Sequence, residues 1–371
     1  MNDYISGRFL STPQAEFYMP ENGDWIAFGW IGGWMNTFPM LALGDAERLE
    51  RVSQTFDFGL KAQEPSGYFH YAIRQDGNTS FREPKPDMNL TRTHGDVLFW
   101  MIKQFLLLKA QDRAQAIKPA WEAAMKKLAD ALVTTWRNNG QWGKMVNVKT
   151  GDAAWLEKSR NLANLAATWT VSYDYELPKF TALGALGTKF AGAVWASTQN
   201  KHAAPGYCTG SGDALLKIYR ATGDARYAEL IRDILHAHAD AIHGGGGTER
   251  LTYCDADSRG ENPPGCNGWV ATNGAMMALE IPGIYLRTDL PRCYIFDSVE
   301  AKVTRRDATG VTLEIKNPTQ FDAQVSVFAE NAAQAAKPQG DTAFLKWPKV
   351  PVKAASTVNV SIKPDGAIRP N

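Results

Sequence analysis

The stretch Asp213-Ala-Leu-Leu-Lys-Ile-Tyr-Arg-Ala-Thr-Gly-Asp-Ala-Arg-Tyr-Ala-Glu-Leu-Ile-Arg-Asp-Ile-Leu-His-Ala-His-Ala-Asp-Ala-Ile242 holds two amphipathic runs separated by a short break. Apolar side chains recur at three and four on either side of Gly223-Asp224, the period of an α-helix. The break carries the residues that end one helix and cap the next. The pattern predicts a helical hairpin, Asp213 to Ala221 and Ala225 to Ile242. The arrangement recurs upstream: Trp25 to Leu43 leads through Gly44 and Asp45 into Ala46 to Ala62, and Asp96 to Ala110 leads into Pro119 to Trp136. Asn161 to Tyr175 leads through Pro178 into Lys179 to Ser197, and a further helix, Asn273 to Leu286, has no charged partner after it.

The first member of each pair is apolar on most of its circumference and the second carries a charged face, so the first belongs inside and the second outside. A repeat of roughly 50 to 60 residues, each with an extended loop, then predicts an inner and an outer ring of helices. Gly-aromatic stretches follow several outer helices: Gly67 to Ile73, Gly140 to Val146, and Gly206-Tyr207-Cys208. They return the chain to one rim, the expected active face. From about Tyr294 the period changes to two, in Ser298 to Arg305, Gly310 to Lys316, Ala323 to Ala329 and Thr357 to Ile362, with Asn317-Pro318 as a turn. The expected fold is mainly α: an (α/α) helical-hairpin toroid over residues 1–290, then an antiparallel β-sandwich over residues 291–371.

Charge is nearly balanced, 40 Lys+Arg against 39 Asp+Glu, so no basic field favours nucleic acid or an anionic membrane. No apolar run is long enough to span a bilayer. Met1 to Leu10 has neither a basic nor an apolar leader segment, and the cellular compartment stays open. The 12 Trp, 12 Tyr and 16 Phe offer flat apolar surfaces on which sugar rings stack, which makes an oligosaccharide or polysaccharide the expected partner. Cys254 and Cys266 bracket a Gly/Pro/Asp-rich loop, where a disulfide and two free thiols are both open.

Two elements, Ala62-Gln-Glu-Pro-Ser-Gly-Tyr-Phe69 and Tyr219-Arg-Ala-Thr-Gly-Asp-Ala-Arg-Tyr227, resemble those of the six-hairpin (α/α) toroid glycosidase superfamily. That superfamily includes unsaturated glucuronyl hydrolases, β-L-arabinofuranosidases and several polysaccharide lyases. The resemblance covers about three quarters of the chain and implies a sugar-processing enzyme. Cys208, Thr222 to Tyr227 and the Asn273 helix are similar to the β-L-arabinofuranosidase branch, which holds zinc through one Glu and three Cys. Here Gly206 stands where that Glu is expected and Trp269-Val270 where a Cys pair is expected. No metal and no cofactor are therefore expected. Five inner helices are visible where six close a ring.

Candidate catalytic residues lie where inner helices begin. Asn89-Leu-Thr-Arg-Thr-His-Gly-Asp96 places Arg92, His94 and Asp96 at a helix start, where free backbone N–H groups favour an anion. Asp96 is expected as a general acid or base, His94 as its assistant, and Arg92 as a bidentate grip on a substrate carboxylate. Asp96 and Thr93 also suit a helix cap. Asp213, after Thr209-Gly-Ser-Gly, is the expected second carboxylate, approaching Asp96 across the rim, and it too suits a cap. His70, beside Tyr68 and Tyr71, suits the base of a β-elimination in which a Tyr supplies the acid. Glu249, in the Gly244 to Gly268 segment, is the next candidate carboxylate. Trp142, Trp269 and Arg160 complete the expected substrate contacts, while Trp25, Trp30 and Trp34 suit a core. These residues predict a glycoside hydrolase acting on oligosaccharides that contain an acidic sugar or arabinose, and so polysaccharide degradation. A polysaccharide lyase and a non-catalytic sugar-binding toroid remain the alternatives.

Overall fold

The computed structural model describes residues 6–7, 9–11, 16–18, 25–27, 33–69, 72–74, 91–139, 153–168, 170–174, 176, 179–180, 185, 187, 191–192, 194–197, 202–204, 211–240, 242–243, 246–247, 251–252 and 268–370. Contacts divide the chain into two compact units. The first is Met1–Met145, Ala241–Glu249 and Asp257–Met276; the second is Val146–Asp240, Arg250–Ala256 and Met277–Asn371.

The first unit is built on α1 (Gly33–Leu43), α2 (Ala46–Leu60), α3 (Thr91–Ala110) and α4 (Pro119–Asn139), with short antiparallel pairs β1 (Phe9–Ser11) with β2 (Glu16–Tyr18) and β3 (Trp25–Ala27) with β4 (Ala72–Arg74). The reading of Trp25 to Leu43 as one helix is corrected. Trp25 lies in a strand, and the helix starts only at Gly33; the intervening sequence carries Gly29 and Gly32, each of which would cost about 1 kcal/mol against Ala inside a helix. Trp34, Phe38, Phe56, Trp100, Phe105 and Trp121 are buried, and Trp34 meets Phe56 edge-on at 4.5 Å. Buried Gln104 ties α1 to α3, its amide donating to the Trp34 carbonyl at 2.7 Å and to that of Trp100 at 3.2 Å.

In the second unit stand α5 (Ala153–Ala167), α6 (Ser211–Thr222) and α7 (Ala225–Asp240), with strands β5 (Val194–Ser197), β6 (His202–Ala204) and β9 (Leu251–Thr252) forming one small sheet. A further pair, β7 (Ile242–His243) with β8 (Gly246–Gly247), belongs to the first unit. The helix expected at Asn161 to Tyr175 is shifted toward the N-terminus. Ala153-Ala-Trp-Leu-Glu-Lys supplies good helix formers, whereas Thr168, Thr170 and Val171 beyond its end are β-branched. Helix α8 (Gly268–Glu280) likewise stops before the expected Leu286, because Pro282 and Gly283 intervene. Leu216, Tyr219, Tyr227, Ile231, Ile234 and Ile281 share one buried cluster.

Both predicted Gly-Asp reversals form, one in each unit, by the same device. Gly44 and Gly223 take φ of 78° and 70°, the left-handed region that glycine enters without steric cost. The following aspartate then accepts from the next helix: Asp45 from the Arg48 N–H at 2.8 Å, Asp224 from the Arg226 N–H at 3.1 Å. An arginine from elsewhere in the same unit donates to the glycine carbonyl, Arg113 to Gly44 and Arg292 to Gly223.

Two four-stranded sheets complete the second unit. One has the order β11 (Cys293–Ile295), β10 (Ile284–Arg287), β14 (Ala323–Glu330), β15 (Lys349–Val352); the other is β12 (Glu300–Asp307), β13 (Gly310–Lys316), β16 (Thr357–Ile362), β17 (Ile368–Pro370). All neighbours are antiparallel except β10 with β14. One buried cluster draws on both sheets: Ile284, Leu286, Val325, Val327, Val350 and Val352 from the first, Val311, Leu313, Ile315, Val360 and Ile362 from the second. Asn317, fully buried in its turn, donates to the Phe321 carbonyl at 2.6 Å and accepts from the Thr319 N–H at 3.0 Å.

Helix α6 is tied to these sheets by charge. Arg220 grips Glu330 with both arms, at 2.8 and 2.6 Å, and Tyr285 donates to the same carboxylate at 2.7 Å. Their side chains are 6% and 2% exposed. Burial, and then the Glu330 charge, push the Tyr285 phenol well above its usual range. Glu330→Ala would leave a buried guanidinium unpaired and is expected to cost about 3–5 kcal/mol. Urea unfolding should show a lower midpoint with an unchanged slope.

Candidate functional site

Within the first unit, Gln63 to Phe69 folds tightly onto α4. Gly67 is forced: its φ is 97°, and an added Cβ would stand 2.7 Å from the Lys127 carbonyl oxygen. The Gln63 amide donates to the carbonyls of Gly67 and Ala124, at 3.0 and 2.9 Å. The Tyr68 hydroxyl donates to the Ala131 carbonyl at 3.1 Å. These contacts set the Tyr68 ring against the His94 ring, with centroids 4.6 Å apart and planes tilted by 45°.

Helix α3 begins at Thr91, so Arg92, His94 and Asp96 lie inside its opening turns rather than ahead of them, which corrects the expected boundary. Gly95 inside the helix costs about 1 kcal/mol, too little to stop a 20-residue helix that packs through an apolar face. Open space surrounds the position a Gly95 Cβ would take. His94 is 6% exposed and its buried Nδ1 has no hydrogen-bond partner among the described residues, while Asp96 is half-buried. Burial pushes the His94 imidazole down to about 4, so it is neutral at pH 7 and can accept a proton but has none to spare as an acid. In the same helix Lys103 is buried against Phe38, Phe99 and Trp100, its ammonium 4.9–5.4 Å from their centroids. Sequence reading missed this lysine, because an apolar helix gave no signal for a buried charge.

Asp213 and Arg160 belong to the second unit. Asp213 sits in the first turn of α6 and accepts from Lys217 at 2.8 Å; Lys217 also donates to Asp341 at 2.9 Å. These side chains, with Glu280, Gln339, Gly340, Ala343, Phe344 and Trp347, line a pocket with room for about one water molecule, far too little for a sugar ring. Burial lowers the Lys217 pKa, but Asp213 and Asp341 outweigh it and the net shift is upward. Lys217 was legible as the i+4 partner of Asp213; Asp341 and Glu280, distant in sequence, were not. Arg160 lies in the middle of α5 rather than at a helix start, paired with Glu157 at 3.2 Å.

Trp269 falls in the first turn of α8. His70, Trp142, Glu249, Cys208, Cys254 and Cys266 lie outside the described residues. Among the described residues no three His, Cys, Asp or Glu side chains are grouped to hold a metal ion, and no helix is long and apolar enough to cross a membrane.

No family model and no curated protein sequence matches this chain. Solved structures similar to it include a D-mannose isomerase, with TM-score 0.39, 13% identity, and coverage of 75% of this chain and 77% of that one. A cellobiose 2-epimerase from Spirochaeta thermophila gives 0.38 and 15%, over 74% and 76% of the two chains. A GH127 β-arabinofuranosidase gives 0.33 and 10%, over 89% and 71%.

Between about pH 4 and 6.5 the folded chain binds fewer protons at His94 than the unfolded chain does. Its neutral burial therefore contributes fully above pH 6.5, and that contribution is lost as the pH falls toward 4. The loss is on the order of 3 kcal/mol. Unfolding midpoints at pH 7 and pH 4 should differ less for His94→Phe than for the wild type.

Proposed function

We propose that this chain is a carbohydrate-active enzyme of the helical-hairpin toroid type, with a C-terminal β-sandwich, and that it hydrolyses glycosidic bonds in oligosaccharides containing an acidic sugar or arabinose. The observation that carries this reading is the placement of His94 and Asp96 in the opening turns of α3, with Tyr68 locked against the imidazole at 4.6 Å. Asp96 would be the acid or base, and Arg92 the grip on a substrate carboxylate. His94, uncharged at pH 7, would hydrogen-bond a sugar hydroxyl or assist as a base. Glu249 would be the second carboxylate in preference to Asp213, whose carboxylate is engaged by Lys217 in a pocket that admits no sugar. His70, Tyr68, Trp142 and Trp269 would contact the substrate.

The pairing of His94 with Tyr68 favours a second reading, a lyase acting on a uronic-acid polymer with a neutral histidine base. The Tyr68 proton is already given to the Ala131 carbonyl, which weakens that reading. A screen of uronic-acid and arabinose-containing oligosaccharides separates the two. Hydrolysis releases a new reducing end, whereas elimination leaves an unsaturated product that absorbs near the ultraviolet edge. Asp96→Asn is expected to lower kcat about a hundredfold or more with little change in the unfolding midpoint. If the wild type neither hydrolyses nor eliminates on any of these sugars, the enzymatic reading fails.

A further inference from the structure

Between β14 and β15 the chain runs through a helical turn, α9 (Ala332–Ala335), and then a loop over the side of α6. Both ends of this crossing are anchored. At the start, Asn331 and Gln334 form a reciprocal cap, and the Gln334 amide donates to the Asp365 carbonyl at 2.9 Å. At the end, Phe344 and Trp347 are buried, and Trp347 stacks on Phe328 with centroids 5.4 Å apart. The arc between them, Lys337-Pro-Gln-Gly-Asp-Thr342, contains no regular structure, is exposed at Lys337, Pro338 and Gly340, and leaves open space around Gly340.

Two cations of α6 hold this arc, and each also has an anion outside it. Lys217 reaches Asp341 on the arc at 2.9 Å but also Asp213 on its own helix at 2.8 Å. Arg220 reaches the Lys337 carbonyl at 3.4 Å and the Gln339 side chain at 3.5 Å, but its bidentate partner is Glu330 on β14. When the arc lifts, Lys217 keeps Asp213 and Arg220 keeps Glu330. Neither cation is left without an anion, so the large cost of orphaning a buried Lys or Arg does not arise. The released groups, the Asp341 carboxylate and the Gln339 amide, pass into water. Underneath lie Asp213, Lys217 and Glu280, the titratable groups that line the pocket together with Asp341.

We propose that residues 337–342 form a strap, latched to α6 by the Lys217–Asp341 pair, which opens locally over the Lys217 pocket while the helix and sheets beneath it stay folded. The inference does not rest on the sugar-processing reading, and its test uses no activity.

Hydrogen exchange measured on the full chain by mass spectrometry reads the latch, with acylation of the Lys217 amine as a second readout. In Asp341→Asn, peptides covering 336–343 should exchange severalfold faster, Lys217 should be acylated severalfold faster, and peptides from α6 and β14 should keep wild-type protection. Asp341→Glu, which retains the charge, should exchange close to wild type and shows that the effect is not a packing defect. Unchanged exchange at 336–343 in Asp341→Asn would overturn the proposal. So would faster exchange spread through α6 and β14, because the arc would then be part of the core. If Asp341→Asn fails to fold, wild-type exchange decides: the strap predicts lower protection at 336–343 than in both α6 and β14.

Discussion

The Gly-Asp reversal is the constraint on which both helical hairpins depend. Where two antiparallel helices that share an apolar seam are joined by only two residues, the turn needs one residue at positive φ and one side chain that caps the next helix. Gly44-Asp45 and Gly223-Asp224 meet both needs, and each glycine carbonyl is bonded by an arginine, Arg113 or Arg292. The second condition matters because the last carbonyls of a helix have no partner within it. A guanidinium brought from a distant segment satisfies that oxygen and fixes the hairpin to its surroundings in one contact.

That dependence explains what could be read in advance. The Gly-Asp turns, the helices around them and strands Gly310–Lys316 and Thr357–Ile362 follow from local pattern, because burial on one face repeats with the period of the element. Boundaries governed by competition were less legible. Trp25 has the right spacing for the first helix but is separated from it by glycines, and α3 begins at Thr91, ahead of the expected start at Asp96. Strands β10, β11, β15 and β17 are only three or four residues long, too short for a period to show.

For the site the outcome divides by distance in sequence. His94 and Asp96 were found because they lie in one short polar cluster beside an apolar run. The approach of Tyr68 to His94 was not readable, since it depends on Gln63 bonding across to α4 and on Gly67 allowing the loop to close against the Lys127 carbonyl. Asp213 shows the opposite limit. Its position at the start of a helix suits catalysis and capping alike, and only the arrival of Lys217 and Asp341 shows how the carboxylate is occupied.

The arginine contacts of α6 and its turn also bear on how this chain can change over evolutionary time. Arg220 ends on a carboxylate at the end of the interior strand β14, and Arg292, from the loop between β10 and β11, ends on the turn that starts α7. The helical hairpin and the β-strands are thus written into each other in both directions. The β-region is not a cassette that recombination could exchange for an unrelated module. A replacement would have to supply a buried acid for the helix and a cation for the turn at the same time, so these two parts are expected to be inherited together.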